Sequence, residues 1–79
     1  MSKRKLIVMD IKKDYLALPY TFELIPDDGE WFIRVKEFPG CMSQGIDPNN
    51  AIVMIYDAMA LWIETAIDDG TPVPLPEKM

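Results

Sequence analysis

Phe38-Pro39-Gly40-Cys41-Met42-Ser43-Gln44-Gly45 runs directly into Asp47-Pro48 and a long helical pattern. A proline and two glycines within eight residues prescribe a backbone path. A strand ends at Phe38, turns at Pro39-Gly40, runs briefly extended from Cys41 to Gln44 and breaks at Gly45. Asp47 has the side chain of a helix N-cap, and Pro48 suits the first helical position, where its missing N–H costs nothing. The periodicity predicts a helix from Pro48 to about Asp69, stopped at Gly70.

Working toward the N-terminus, Tyr20, Phe22 and Leu24 alternate with Thr21, Glu23 and Ile25, which predicts a strand over 20–25. Pro26-Asp27-Asp28-Gly29 holds the residues of a tight turn and predicts a hairpin. A second strand is expected over 30–37, with Trp31, Ile33 and Val35 toward the core and Phe32, Arg34 and Lys36 away from it. With the short third strand, this makes an antiparallel meander with one face to be covered. The helix is the cover: Ala51, Ile52, Ile55, Ala58, Met59, Trp62, Ile63 and Ala66 share one wide face. Asn50, Asp57, Glu64 and Asp68 align on the opposite side as an acidic stripe. Val53, Met54, Ala60, Leu61 and Ile67 fall outside the core face, and this surplus of apolar surface predicts a homo-oligomer, a dimer or tetramer. Met54, Leu61 and Phe32 are the candidate oligomer contacts.

The expected fold class is therefore α+β, a three-stranded antiparallel meander on one long helix, with a proline-rich tail. In that tail, Thr71-Pro72-Val73-Pro74-Leu75-Pro76, alternate residues lack an N–H, so it reads as an extended structural segment rather than a central strand. Residues 15–79 form the single domain, and residues 1–14 a basic segment without an assigned order. Asp14-Tyr15-Leu16-Ala17-Leu18 reads either as one helical turn halted by Pro19 or as a strand.

Composition narrows the chemistry. The chain has 79 residues and a formal net charge of −5, with one cysteine and no histidine. Residues 1–13 set five cations against Asp10, about +4, whereas residues 14–79 set 12 carboxylates against Arg34, Lys36 and Lys78, about −9. Such a body repels phosphate backbones, so the folded part is not expected to bind nucleic acid directly. The same field draws in a basic partner. A lone cysteine forms no internal disulfide, and Cys41 reads as a small buried hydrophobe in a reducing, cytoplasmic setting. Leu6-Ile7-Val8-Met9 is too short for a membrane span or a signal-peptide core.

Without histidine, acid–base catalysis would fall to carboxylate, lysine, tyrosine or cysteine side chains. Asp27, Asp28 and Glu30 have a spacing that can hold a hard cation, but no ligand framework surrounds them and they read as turn residues. Asp57, Glu64 and Asp68 would need carboxylates on a facing strand to form a two-metal nuclease centre, and the core-facing strand positions are apolar. No catalytic residue, metal site or cofactor is assigned. The candidate partner-binding residues are Asp57, Glu64, Asp68, Asp27 and Asp28; Pro39, Gly40, Cys41 and Gly45 are structural.

Tyr20-Thr21-Phe22-Glu23-Leu24, then Asp28-Gly29, then the Pro-Gly-Cys-x-Ser-x-Gly run, the capped helix and the Gly70…Pro72…Pro74…Pro76 tail together resemble the HicB-type antitoxin family. The resemblance spans most of residues 15–76. It implies a partial RNase-H-like fold without nuclease activity, and a partner: a small basic HicA-type toxin that cleaves RNA with a catalytic histidine and is neutralised when that site is covered. Many members carry a C-terminal DNA-binding segment, which is absent from this chain, so transcriptional self-regulation is not expected of it unless the basic residues 3–13 serve instead. The alternative is an orphan homo-oligomer with no toxin.

Overall fold

A computed structural model describes residues 11–77. After helical residues 11–16 come strands β1 (Phe22–Asp27), β2 (Glu30–Val35) and β3 (Met42–Gly45), then helix α1 (Pro48–Asp69). The sheet is antiparallel in the order β1-β2-β3, and α1 packs across one face of it. This is the expected α+β layer pair, consistent with a partial RNase-H-like arrangement. Of the basic segment at 1–14, residues 1–10 and with them the apolar run Leu6–Met9 lie outside the described residues. Residues 11–14 are helical, and of the two readings left open for 14–18 the helical one holds, as far as residue 16.

The hairpin is tighter than the turn-forming cluster suggested. Pro26 pairs with Trp31 and Asp27 with Glu30, so both are strand residues. Only Asp28 and Gly29 turn the chain, at φ of 51° and 87°. Two consecutive positive φ values match the right-handed twist of the flanking strands. β1 is an edge strand, and an edge is where a sheet admits proline, because the missing N–H can face solvent.

β2 also ends earlier than expected, at Val35. Cys41 N–H donates to the Phe38 carbonyl at 3.0 Å, and Val35 N–H to the Cys41 carbonyl at 3.1 Å, so residues 36–40 form a closed turn. This turn drives the Phe38 ring into the core, where it is 1% exposed. Phe38 stacks on Trp62 with centroids 4.4 Å apart and planes 2° from parallel, and meets Tyr20 at 4.6 Å. The Trp62 indole N–H then donates to the Pro39 carbonyl at 3.0 Å. Aromatic burial and a directed hydrogen bond thus clamp the turn onto α1.

Gly45 is required by proximity rather than by dihedral angle. A Cβ there would lie 2.3 Å from the Ala51 nitrogen and 2.5 Å from its Cα. The first turn of α1 rests directly on the end of β3, and only a residue without a side chain leaves room.

The bounds of α1 are those expected. The Asp47 carboxylate accepts from Asn50 N–H at 2.7 Å, while Asn50 Oδ1 accepts from Ile46 N–H at 3.0 Å. The Asp47 side chain thus caps a first-turn amide, and the Asn50 side chain reaches back to the amide just before the cap. At the other end Gly70 has φ 72°. Gly70 N–H donates to Ile67 and Thr71 N–H to Ala66, which satisfies the last carbonyls in a Schellman closure. Ala51, Ile55, Met59, Ile63 and Ala66 are buried, with Ala58 and Trp62 partly so. Ile52, expected in the core, is exposed: it lies at the flank of the buried stripe, beyond what a three-stranded sheet covers. Ile67, expected outside, packs against the core. α1 is also long and apolar enough to cross a membrane by length and composition alone, but its apolar stripe is taken up by the sheet.

Candidate partner-binding face

Val53, Asp57, Leu61, Glu64 and Asp68 succeed one another at spacings of three and four residues, which places them on one stripe of α1 turned away from the sheet. Val53 and Leu61 alternate with Asp57 and Glu64 along it, and a second acid, Asp68, follows. Val53 is 61% and Leu61 67% exposed, and Met54 flanks them at 41%. Asp57 and Asp68 are exposed and Glu64 is half-buried. Glu64 is also engaged: Lys12 Nζ sits 3.0 Å from its Oε2. That contact spans 52 residues and seats the N-terminal helical residues beside the stripe.

The other candidate acids stand apart. Asp27 and Asp28 occupy the β1–β2 hairpin, at the end of the sheet where β3 meets the start of α1. The stripe begins near that end and runs away from it. Of the candidate oligomer contacts, Phe32 lies on the open face of the sheet, opposite Ile25 and Gln44 on the neighbouring strands. Met54 and Leu61 belong to the helix layer on the other side, so one flat contact does not take in all three.

A cleft of about 450 Å³ opens beside β3, between Gly40, Cys41 and Met42 on one wall and Ala58, Leu61, Trp62 and Thr65 on the other. Asp69 and Thr71 close one end. The cleft is apolar apart from that end, and it holds no acid–base pair. Cys41 is buried at 4% exposure, and burial pushes its thiol up to about 11. At neutral pH it is a protonated, inert core group. Among the described residues, no three carboxylate or thiol side chains gather as metal ligands.

Sequence reading missed the polar centre of the fold, Glu37. Its carboxylate accepts from Thr21 N–H at 3.0 Å, from the Thr21 hydroxyl at 3.1 Å and from Glu77 N–H at 3.0 Å. Burial pushes this acid up, but the backbone N–H bonds from Glu77, Thr21 and Glu37 itself, with the Thr21 hydroxyl, outweigh it and hold Glu37 below the usual glutamate range. Nearby, the Tyr20 hydroxyl donates to the Pro74 carbonyl at 2.7 Å. Burial chiefly, then Tyr15 and Glu37, raise the Tyr20 phenol. These contacts tie the proline tail to the start of β1. The only sequence signal was a charged residue breaking the alternation next to a buried aromatic.

The arrangement is one of surfaces: an inert core, a stripe of acids and apolar side chains on the outer face of a helix, and a shallow apolar cleft. No curated protein and no solved structure matches the chain. A family model described as the HicB-like antitoxin of bacterial toxin–antitoxin systems matches residues 19–79, which hold the entire sheet, α1 and the tail. The chain belongs to the HicB-like antitoxin family.

Proposed function

We propose that this antitoxin neutralises a small basic RNA-cleaving toxin of the HicA type by covering the toxin's RNA-binding and catalytic surface, with the outer face of α1 as its main contact. The observation that carries this reading is the exposed alternation of Val53, Asp57, Leu61 and Asp68 on a body of charge about −9 over residues 14–79. Carboxylates on such a stripe compete with RNA phosphates for the same cations, and the apolar side chains between them supply the area that is removed from water. Nothing in this mechanism asks catalysis, a metal or a cofactor of the chain, which acts as a binding protein in the cytoplasm. Asp27 and Asp28 extend the negative field past the start of the helix.

The test is capture of the tagged chain from its own cells, eluted with salt, followed by Asp57→Lys with Asp27→Lys in the recovered complex. A stoichiometric small basic protein whose affinity falls at least tenfold, while the melting temperature of the free antitoxin stays unchanged, supports the reading. Equal losses of affinity and stability remove the docking role from this face. Asp57 is the better probe than Glu64, whose reversal would also break the Lys12 pair.

A second reading, a homo-oligomer without a toxin, is supported by apolar residues on the sheet's open face. Ile25 is 47% and Met42 52% exposed there, beside Phe32. The uncharged edge of β3, residues 42–45, would extend such an interface. Recovery of only the chain itself from cells would favour it.

A further inference from the structure

We propose that two copies of this chain join through the free edges of β3, making one six-stranded antiparallel sheet with the two α1 helices side by side on one face. The two outer edges of the sheet are built differently. β1 carries Pro26 with the charged Glu23 and Asp27, the devices that keep an edge from pairing. β3 has neither a proline nor a charge, and residues 38–46 are uncharged throughout in a strongly acidic chain. The Val35 amide bonds the Cys41 carbonyl, so in the alternation of an antiparallel ladder residues 41, 43 and 45 direct their backbone groups to β2. The N–H and C=O groups of Met42 and Gln44 therefore point out of the sheet, and among the described residues nothing takes them up.

This edge is complementary to itself. A two-fold axis through Ser43 sets Met42 of each copy opposite Gln44 of the other, so all the outward groups pair in four N–H···O=C bonds. The same axis brings the helices together. α1 lies over β2 and β3, and with strands about 4.8 Å apart the two helix axes come about 10 Å from each other, the spacing of packed helices. Met54, Ala58, Leu61 and Thr65 form the facing side, at spacings of four, three and four that suit a helix–helix seam. Met54 is 41% and Leu61 67% exposed. Gly45 lies against Ala51, and Cys41 shares the cleft with Ala58 and Trp62, so the axis through Ser43 passes α1 near Met54 and Ala58. The large Met54 and Leu61 of each copy then pack beside the small Ala58 of the other and close the apolar cleft. Charge selects a second copy as the occupant. The seam holds no carboxylate, so two acidic chains meet there without opposed charges, whereas a basic partner finds nothing between them to neutralise; Asp57 and Asp69 stay at the rim. In the dimer two outer stripes lie side by side, with Leu61 shared between stripe and seam, so a toxin would meet both rows of acids. That consequence rests on the function proposed above; the dimer itself does not.

The test uses the full chain without a toxin, so its failure leaves the toxin capture untouched. Sedimentation should show a reversible dimer at micromolar concentration. Leu61→Glu, a change at an exposed position, should raise the dissociation constant at least tenfold while the melting temperature of the dilute monomer stays the same. Ser43→Cys reads the register. The two Ser43 Cα atoms lie about 4.5 Å apart across the axis, within disulfide reach. Copper phenanthroline should therefore link this variant at least tenfold faster than Gln44→Cys, whose side chain points to the opposite face of the sheet. Cys41 is buried and stays out of the reaction. Amide exchange at Met42 and Gln44 should accelerate on dilution as the dimer parts. A chain that stays monomeric at millimolar concentration overturns the proposal, as does a dimer indifferent to Leu61→Glu or one that cross-links the two cysteine variants equally. Protection of Met42 and Gln44 that persists on dilution overturns it too, and assigns the edge to a segment of the same chain.

Discussion

Glu37 concentrates the stability of one end of the molecule in a single carboxylate. Its acid is held below the usual glutamate range in the folded state, so its contribution is complete above the unfolded value and is lost as pH falls through the folded one. Acid titration of the wild type should therefore show a loss of stability beginning below about pH 4.5, and Glu37→Gln should flatten that part of the profile. Glu37→Ala, which strands the Thr21 and Glu77 amides, should cost about 1–3 kcal/mol in urea unfolding. Gly45→Ala tests the close layer contact. Its added methyl meets the Ala51 backbone, not a flexible tip, and should destabilise by about 1–3 kcal/mol or more. Cys41 should react with a thiol reagent only after denaturation. Glu37 breaks the alternation of β2's core face in the sequence, but its partners could not be read there, because they lie 16 and 40 positions away. Cys41 and Gly45 were recognisable as structural, though Gly45 for the wrong immediate reason: crowding, not a turn, excludes a side chain.

The elements differ in how far local chemistry determined them. α1 carries its own punctuation, Asp47-Pro48 at one end and Gly70 at the other, and its bounds agree with those read from the sequence. Removing that punctuation should cost little but measurably: Asp47→Ala about 1 kcal/mol, or a fall of roughly 4–8 °C in Tm for a domain of this size. The hairpin was displaced in prediction because Pro26, Asp27, Asp28 and Gly29 are all turn formers, and nothing local tells which two sit at the bend. Only the pairing of Pro26 with Trp31 on an edge strand decides it. The early end of β2 was hidden for the same reason, since it depends on Phe38 finding Tyr20 and Trp62. Cutting the chain after Gly70 removes the Pro74 carbonyl and the Glu77 amide at once. It should lower Tm and raise hydrogen exchange selectively at Tyr20, Thr21 and Phe22, while the amides in the middle of α1 keep their protection.

At the level of the whole molecule, charge separates the two kinds of association. A complex with a basic toxin should weaken as salt rises, because screening removes the attraction between unlike fields. Self-association of an acidic chain should strengthen over the same range, because screening removes repulsion. Sedimentation of the free chain and calorimetry of the complex at two salt concentrations would show opposite slopes if both occur through the surfaces described. The acidic stripe was legible as a helix face from spacing alone, but its engagement by Lys12 was not, since that contact joins distant parts of the chain. The tail anchor has a mechanical consequence. Tension applied through residue 77 reaches the Glu37 carboxylate first and the Tyr20–Pro74 bond next. Both are single side-chain attachments that fail one after the other, not together like a strand pulled in shear. An ATP-driven unfoldase gripping that side would peel the tail from Glu37 and Tyr20 before it had to break a single rung of the sheet.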